Sequence, residues 1–249
     1  MPNRLFAIGD IHGCSTALST LIGTINPQSD DTIVVLGDVI DYGPDTRGAV
    51  QQLIDLSARC QLILLMGNHE EMLFKAARSH DDLRYWLDCG GVTTRRSYPD
   101  QKLIDPEHFR FLKQHCRVFH ETDGFIFVHA NYIPDQPMSK QSDQSLRWDA
   151  IQPDRTAPHV SGKPVVAGHT RLPHGKVRDL GFLVMIDTDP TRVGWLTALE
   201  VNSGEIFQAN QRGEIRKSVR TGTEVTSSRT MAGTRNNATG SSREAEAPI

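Results

Sequence analysis

Four apolar, strand-like runs in this chain end at a glycine, and each glycine is followed at once by a group that can hold a cation or a proton. "FAIGD" leads to Asp10 and His12, "VVLGD" to Asp38 and Asp41, "LLMGN" to Asn68 and His69, and "VVAGH" to His169. A fifth run, "FIFVHA", delivers His129 without the glycine. Glycine makes up 20 of 249 residues, so composition alone does not produce this recurrence. In an open α/β sheet the loops at the carboxyl ends of the strands converge, and ligands collect there. Glycine lets the chain turn at the sheet edge with no Cβ in the way.

The segments between these runs set the fold class. "RLFAI" (4–8), "DTIVVL" (31–36) and "QLILLM" (61–66) read as strands. Helical spacing fills 15–25, 46–58 and 70–79, with Leu18, Leu21, Ile22 and Ile25 on one face of the first. This β-α-β-α-β order predicts an α/β protein with a mostly parallel sheet flanked by helices. The more polar stretch 81–123 reads as a helical, cap-like segment, with helices at 81–90 and 106–116 around a loop or broken helix. Strands return at 124–130, 163–169 and 181–187, and 194–210 reads as a hairpin turning at Asn202-Ser203-Gly204. The second half is therefore expected to be the more antiparallel one. A single domain is assigned to 1–216. From Lys217 large apolar residues nearly vanish, and 217–249 reads as a disordered tail. The sequon at 237–239 in that tail is treated as chance.

A formal net charge of -3 gives no basic excess for nucleic acid or membrane surfaces. "MPNRLFAIGD" lacks the pattern of a signal peptide, and no run approaches ~18 apolar residues. The four cysteines show no CxxC spacing and read as reduced thiols. A cytoplasmic protein with no nucleic-acid or membrane partner is expected.

The polar groups at the strand ends suit two divalent metal ions. Two carboxylates, three histidines and one amide are donors for manganese first, with iron, zinc, cobalt or nickel as alternatives. Asp38, central in the order, is the candidate to bridge both ions. A pair of ions ~3.5–4 Å apart clamps a phosphoryl group and shares a hydroxide that forms near pH ~7. If Asn68 binds metal, His69 beside it is free to protonate a leaving oxygen, and Asp41 can hold its imidazole.

At these residues the chain resembles the calcineurin-like metallophosphoesterases, and within them the bacterial and phage branch of the serine/threonine phosphoprotein phosphatases. "GDIHG", "GDVID", "GNHEE", "HAN" and "GHT" stand in family order, from about residue 4 to about 210. The resemblance implies a β-sandwich of mixed sheets flanked by helices on both faces. It implies one metal at Asp10, His12 and Asp38, and a second at Asp38, Asn68, His129 and His169. It implies His69 as general acid, paired with Asp41. The activity implied is hydrolysis of phosphomonoesters by direct attack of the shared hydroxide, with phosphoserine or phosphothreonine in proteins as the first substrate class. Hydrolysis of diadenosine tetraphosphate is the alternative, and a weakly active phospho-binding relative is a third reading. The partner is thus a phosphorylated protein or a small phosphoester.

Three positions depart from the family pattern. Tyr42 stands where relatives carry a phosphate-binding arginine, Met66 where arginine is frequent, and Asp189 where "IDTG" has glycine. An arginine fork pairs with two phosphate oxygens at once, whereas tyrosine offers one uncharged donor. Arg147 is the first candidate replacement, with Arg47 and Arg171 behind it. Tyr42 and Asn68 complete the candidate phosphate contacts, Tyr42 as a donor or as a wall for an aromatic leaving group.

Overall fold

The computed structural model describes residues 3–98, 100, 103–172, 175–192 and 194–220. The first part alternates β1 (Leu5–Ile8), α1 (Ser15–Ile25), β2 (Thr32–Val35), α2 (Thr46–Ser57), β3 (Gln61–Leu65) and α3 (Asn68–Ala76). A cap-like stretch follows, with α4 (His80–Trp86), a kinked π-type turn over Leu87–Gly91, α5 (Val92–Ser97) and α6 (Pro106–His115). Then come β4 (Cys116–Arg117), β5 (Phe119–Glu121), β6 (Ile126–Val128), a short 3-10 turn (Met138–Lys140) and α7 (Asp143–Arg147). The chain closes with β7 (Val165–Ala167), β8 (Arg178–Asp179), β9 (Leu183–Met185), β10 (Leu196–Glu200), β11 (Glu205–Ala209) and β12 (Ile215–Val219).

These strands form two mixed sheets, one ordered β12-β11-β10-β1-β2-β3-β4 and the other β5-β6-β7-β9-β8. Alternation along each strand decides which face goes where. In β1 and β2, Phe6, Ile8, Ile33 and Val35 face the layer of α1, α2 and the cap, while Ala7 and Val34 face the second sheet. In β6 and β7, Phe127 and Val166 meet them in the middle. Ile126, Val128, Val165 and Ala167 turn outward, where α7 places Leu146 over them. The result is a sandwich with helical cover on both sides. Helix α1 buries Leu18, Leu21, Ile22 and Ile25 as its spacing predicts.

The second half is the more antiparallel one, as expected: β5–β6, β8–β9 and the β10–β11–β12 meander pair antiparallel, whereas β1, β2, β3 and β4 pair only in parallel with one another. Within it β6, β7 and β9 run parallel, and strands buried on both faces read as continuous apolar runs that give no cue to direction. Two expectations need correction. The segment 81–123 is not all helix, because Cys116–Arg117 and Phe119–Glu121 are edge strands of the two sheets. The domain does not stop at 216, since Lys217 to Val219 belong to β12 and pair with Glu205 to Phe207 of β11. An exposed edge strand is polar, so composition alone makes it resemble a tail. Residues 221–249, with the sequon, lie outside the described residues. No helix among the described residues is long and apolar enough to cross a membrane.

Candidate metal centre

The carboxylate of Asp38, in the loop after β2, lies between two imidazoles. His12 Nε2 is 3.6 Å from its Oδ2, and His129 Nε2 is 3.6 Å from its Oδ1. Both rings are fixed through the other nitrogen. His12 Nδ1 meets the Ile40 carbonyl at 2.9 Å, and His129 Nδ1 meets that of Leu36 at 2.9 Å. A carbonyl only accepts, so each Nδ1 carries the proton and each Nε2 keeps a bare lone pair. His169 is held through Nε2 by the Trp148 carbonyl at 3.0 Å, which leaves its Nδ1 bare. Burial, ahead of neighbouring positive charge, pushes His12 down to about 3 and His129 well below the usual range, and it lowers His169. All three rings are therefore neutral near pH 7, and acceptors oppose acceptors around Asp38. That arrangement is costly by itself and fits a cation on each side of the carboxylate.

The donor atoms fall into two groups that share Asp38. His12, Asp38 and His69 form one, and Asp38, His129 and His169 the other, each within 4.8 Å. Asn68 Oδ1 lies 3.2 Å from His129 Nε2 and adds an oxygen to the second group. Asp10 is buried beside them but stands outside both groups, and its two oxygens accept the His169 N–H at 3.1 and 3.0 Å. The structure thus brings together five of the six residues the sequence singled out as ligands, and sets Asp10 next to them.

The surrounding charge is one-sided. Asp10, Asp38, Glu70 and Asp187 are all buried. Burial first, then mutual repulsion, pushes Asp10 and Asp38 well above the usual carboxylate range. Asp187 has one oxygen on the Asp189 N–H at 3.1 Å and the other buried with no partner. Clustered acids of this kind fit divalent cations, because buried carboxylates need compensating charge.

His69 differs from the other three histidines. Its Nδ1 meets a carboxylate, Asp41 Oδ2, at 2.7 Å, and its Nε2 lies 4.0 Å from Asp38 Oδ2. Asp41 is held in turn by the Thr94 hydroxyl, which donates to Oδ1 at 2.7 Å, and by the Trp86 indole N–H, which donates to Oδ2 at 2.9 Å. Burial pushes Asp41 up to about 7, while burial, then His169 and Arg171, push His69 down to about 3. The Nδ1–Oδ2 contact is a buried hydrogen bond, and Nε2 faces the metal centre.

Sequence reasoning passed over Trp86, Thr94 and Glu70. Trp86, the last residue of α4, and Thr94, inside α5, are fully buried, and a tryptophan amid polar residues was the available signal for the first. Glu70 accepts the N–H groups of Asp38 at 2.8 Å, Val39 at 2.8 Å and Gly67 at 3.0 Å, so it pins the backbone that presents Asp38. Gly67 is required for a related reason, since a Cβ there would lie 2.0 Å from Asp38 Oδ1. Seven non-glycine residues adopt positive φ among the described residues, and five are His12, Asp38, Asp41, Tyr42 and His169. Such strain persists where surrounding structure over-determines it, as at functional sites.

The candidate phosphate contacts separate clearly. Arg147 is buried and engaged with Glu71 at 2.7 Å and Asp143 at 2.8 Å, so its charge is already compensated. Its neighbour Trp148 donates to the same Glu71 oxygen at 3.0 Å and holds His169 through its carbonyl. Arg47 is exposed on α2, and its charge acts on Tyr98 and His108 rather than on the centre. Arg171 is exposed, and its guanidinium carbon sits 5.1 Å from the centre of the Tyr42 ring. Met66 donates its N–H to the Arg117 carbonyl at 2.7 Å, and Asp189 accepts the Thr191 hydroxyl at 2.6 Å.

A two-sheet sandwich with acids and imidazoles gathered at its strand ends defines a metallophosphoesterase. The chain belongs to the calcineurin-like phosphoesterases, whose family model matches residues 4–188. Among curated proteins it is 38% identical over 196 residues to a symmetrical bis(5'-nucleosyl)-tetraphosphatase of Acidovorax sp. (strain JS42), covering 76% of this chain and 62% of that protein. It is 25% identical over 157 residues to the protein of the same name from Nitrosomonas europaea, covering 59% of this chain and 54% of that one. The chain therefore spans less than two thirds of the length of these relatives. A solved structure described as that of a candidate diadenosine tetraphosphatase shares the fold with a TM-score of 0.59 at 20% identity, covering 89% of this chain and 95% of that one.

Proposed function

We propose that this chain hydrolyses a dinucleoside polyphosphate, cleaving diadenosine tetraphosphate into two molecules of ADP with the help of two divalent cations. The observation that carries the hydrolytic chemistry is the Asp38 carboxylate between the bare Nε2 atoms of His12 and His129, with the His69–Asp41 pair beside it. The substrate class follows the tetraphosphatase relatives, which favour this alternative over the phosphoprotein reading placed first from the sequence.

Asp38 would hold both ions, His12 and Asp10 on one side and His129, His169 and Asn68 on the other. When bound, the cations polarise the phosphoryl group and acidify water at neutral pH. Manganese is the first choice, since mixed imidazole and carboxylate donors suit it. The protein's own part is proton transfer and positioning. His69 presents Nε2 toward the leaving oxygen; when the His69–Asp41 pair holds two protons, one in the Nδ1–Oδ2 contact and one on Nε2, it is the Nε2 proton that passes to the leaving oxygen as the bond to phosphorus breaks. Asp41, fixed by Thr94 and Trp86, keeps the ring orientation.

The test is a substrate panel with the purified chain and Mn²⁺. Diadenosine tetraphosphate is expected to give ADP alone, with kcat/KM above that for phosphoserine peptides. Products of AMP and ATP, or faster dephosphorylation of the peptides, would reject the assignment.

A further inference from the structure

Tyr42 and Arg171 come from different loops and meet at the rim of the metal centre. Beneath the guanidinium, the Tyr42 ring stands edge-on to His12 at 5.1 Å and to His69 at 4.9 Å between ring centres. The ring also packs against the kinked turn of the cap. Gly90 there has no side chain, and a Cβ on it would lie 2.7 Å from the ring. Three segments thus fix the ring: the loop after β2, the cap turn, and the loop after His169.

We propose that Arg171, steadied by the Tyr42 ring, grips the phosphoryl oxygens of the substrate in the role an arginine at position 42 would fill. This rests on the phosphoester reading above. A guanidinium drawn to the face of a ring spends none of its five N–H groups on that contact, so they stay available to pair with oxygens. Among the described residues Arg171 donates no hydrogen bond and has no carboxylate at ion-pair distance. Arg147 lacks that freedom, being paired with Glu71 and Asp143. Tyrosine at 42 thus replaces the cation by a platform for one that arrives from another loop.

The experiment uses the Mn²⁺-loaded chain, an aryl phosphate, diadenosine tetraphosphate, and inorganic phosphate as a calorimetric ligand. Arg171→Ala is expected to weaken phosphate binding and raise KM by about 10- to 100-fold, with a smaller change in kcat. Manganese content and melting temperature should hold, because Arg171 is exposed. Tyr42→Leu should weaken phosphate binding in the same direction, and the double variant should be no weaker than Arg171→Ala alone. Phosphate affinity of Arg171→Ala within twofold of the parent, or losses that multiply in the double variant, would overturn the proposal. A parent chain that binds phosphate and manganese but hydrolyses none of these esters would instead overturn the proposed function, while the binding comparison still decides the role of Arg171.

Discussion

The indole N–H of Trp86 donates to Asp41 Oδ2 at 2.9 Å, the same oxygen that meets His69 Nδ1 at 2.7 Å. A cap helix therefore fixes the acid that orients the proposed proton donor. In the proposed reaction the cap is thus part of the catalytic geometry, not only a wall of the cleft.

Replacing Trp86 with Phe keeps the buried ring volume and removes the donor. We expect kcat to fall by about tenfold, which corresponds to ~1.4 kcal/mol, and the acidic limb of the pH–rate profile to move as Asp41 loses a hydrogen bond. Manganese content should stay unchanged. An unshifted profile with an unchanged kcat would mean that the contact only packs the cap.

His69→Asn should separate substrates by their leaving groups. An alkoxide needs a proton as it departs, whereas a nucleoside diphosphate or an aryl oxide departs with far less help. We expect a loss of about 10³-fold or more on an alkyl phosphate, and a loss at least tenfold smaller on diadenosine tetraphosphate. Equal losses on both would remove His69 from the role of proton donor.

Metal removal should make stability strongly pH-dependent. Burial pushes Asp41 and Glu70 up to about 7 and Asp187 up to about 6, whereas a carboxyl in the unfolded chain ionises near ~4. Between those values the folded, metal-free chain holds protons that the unfolded chain has lost. Its stability therefore falls as pH rises through that window. Thermal melts with a chelator should show a higher Tm at pH 5 than at pH 8, and Mn²⁺ should restore the loss at pH 8. A chelator effect equal at both pH values would contradict this.

Far from the centre, Asp31 makes the opposite case. Its burial favours the neutral form, but Arg4 and the Gln28 N–H outweigh that and hold its carboxyl below the usual range. The contacts are Arg4 Nε at 3.1 Å, Arg4 Nη2 at 2.5 Å and Gln28 N at 2.7 Å. A lowered folded pKa gives stability that is present above ~4 and lost as pH falls through the folded value. Asp31→Asn is expected to cost about 1.5–3 kcal/mol at pH 7, with the gap to the parent closing below ~pH 4 in denaturant titrations. A gap that does not narrow at all as pH falls below ~4 would show the loss is not electrostatic.

The sequence by itself determined the strand ends and what they carry. Asp38, His12, His129, His169, Asn68 and His69 were legible because a ligand at a strand terminus leaves a local mark: an apolar run, a turn, then a donor. The strand and helix segments were legible as well, but the strands of β1, β2, β6 and β7 are apolar on both faces, so their residues announced a helix-flanked sheet and the sandwich was implied only by the family resemblance. Only the tertiary structure decided what depends on contacts between distant segments. Trp86 and Thr94 reach Asp41 across some fifty residues, Asp10 turns to the His169 backbone, and Arg147 is neutralised by Glu71 while Arg171 stays open over Tyr42. Side-chain reach and charge pairing are set by three-dimensional neighbours, and neither local spacing nor composition encodes them.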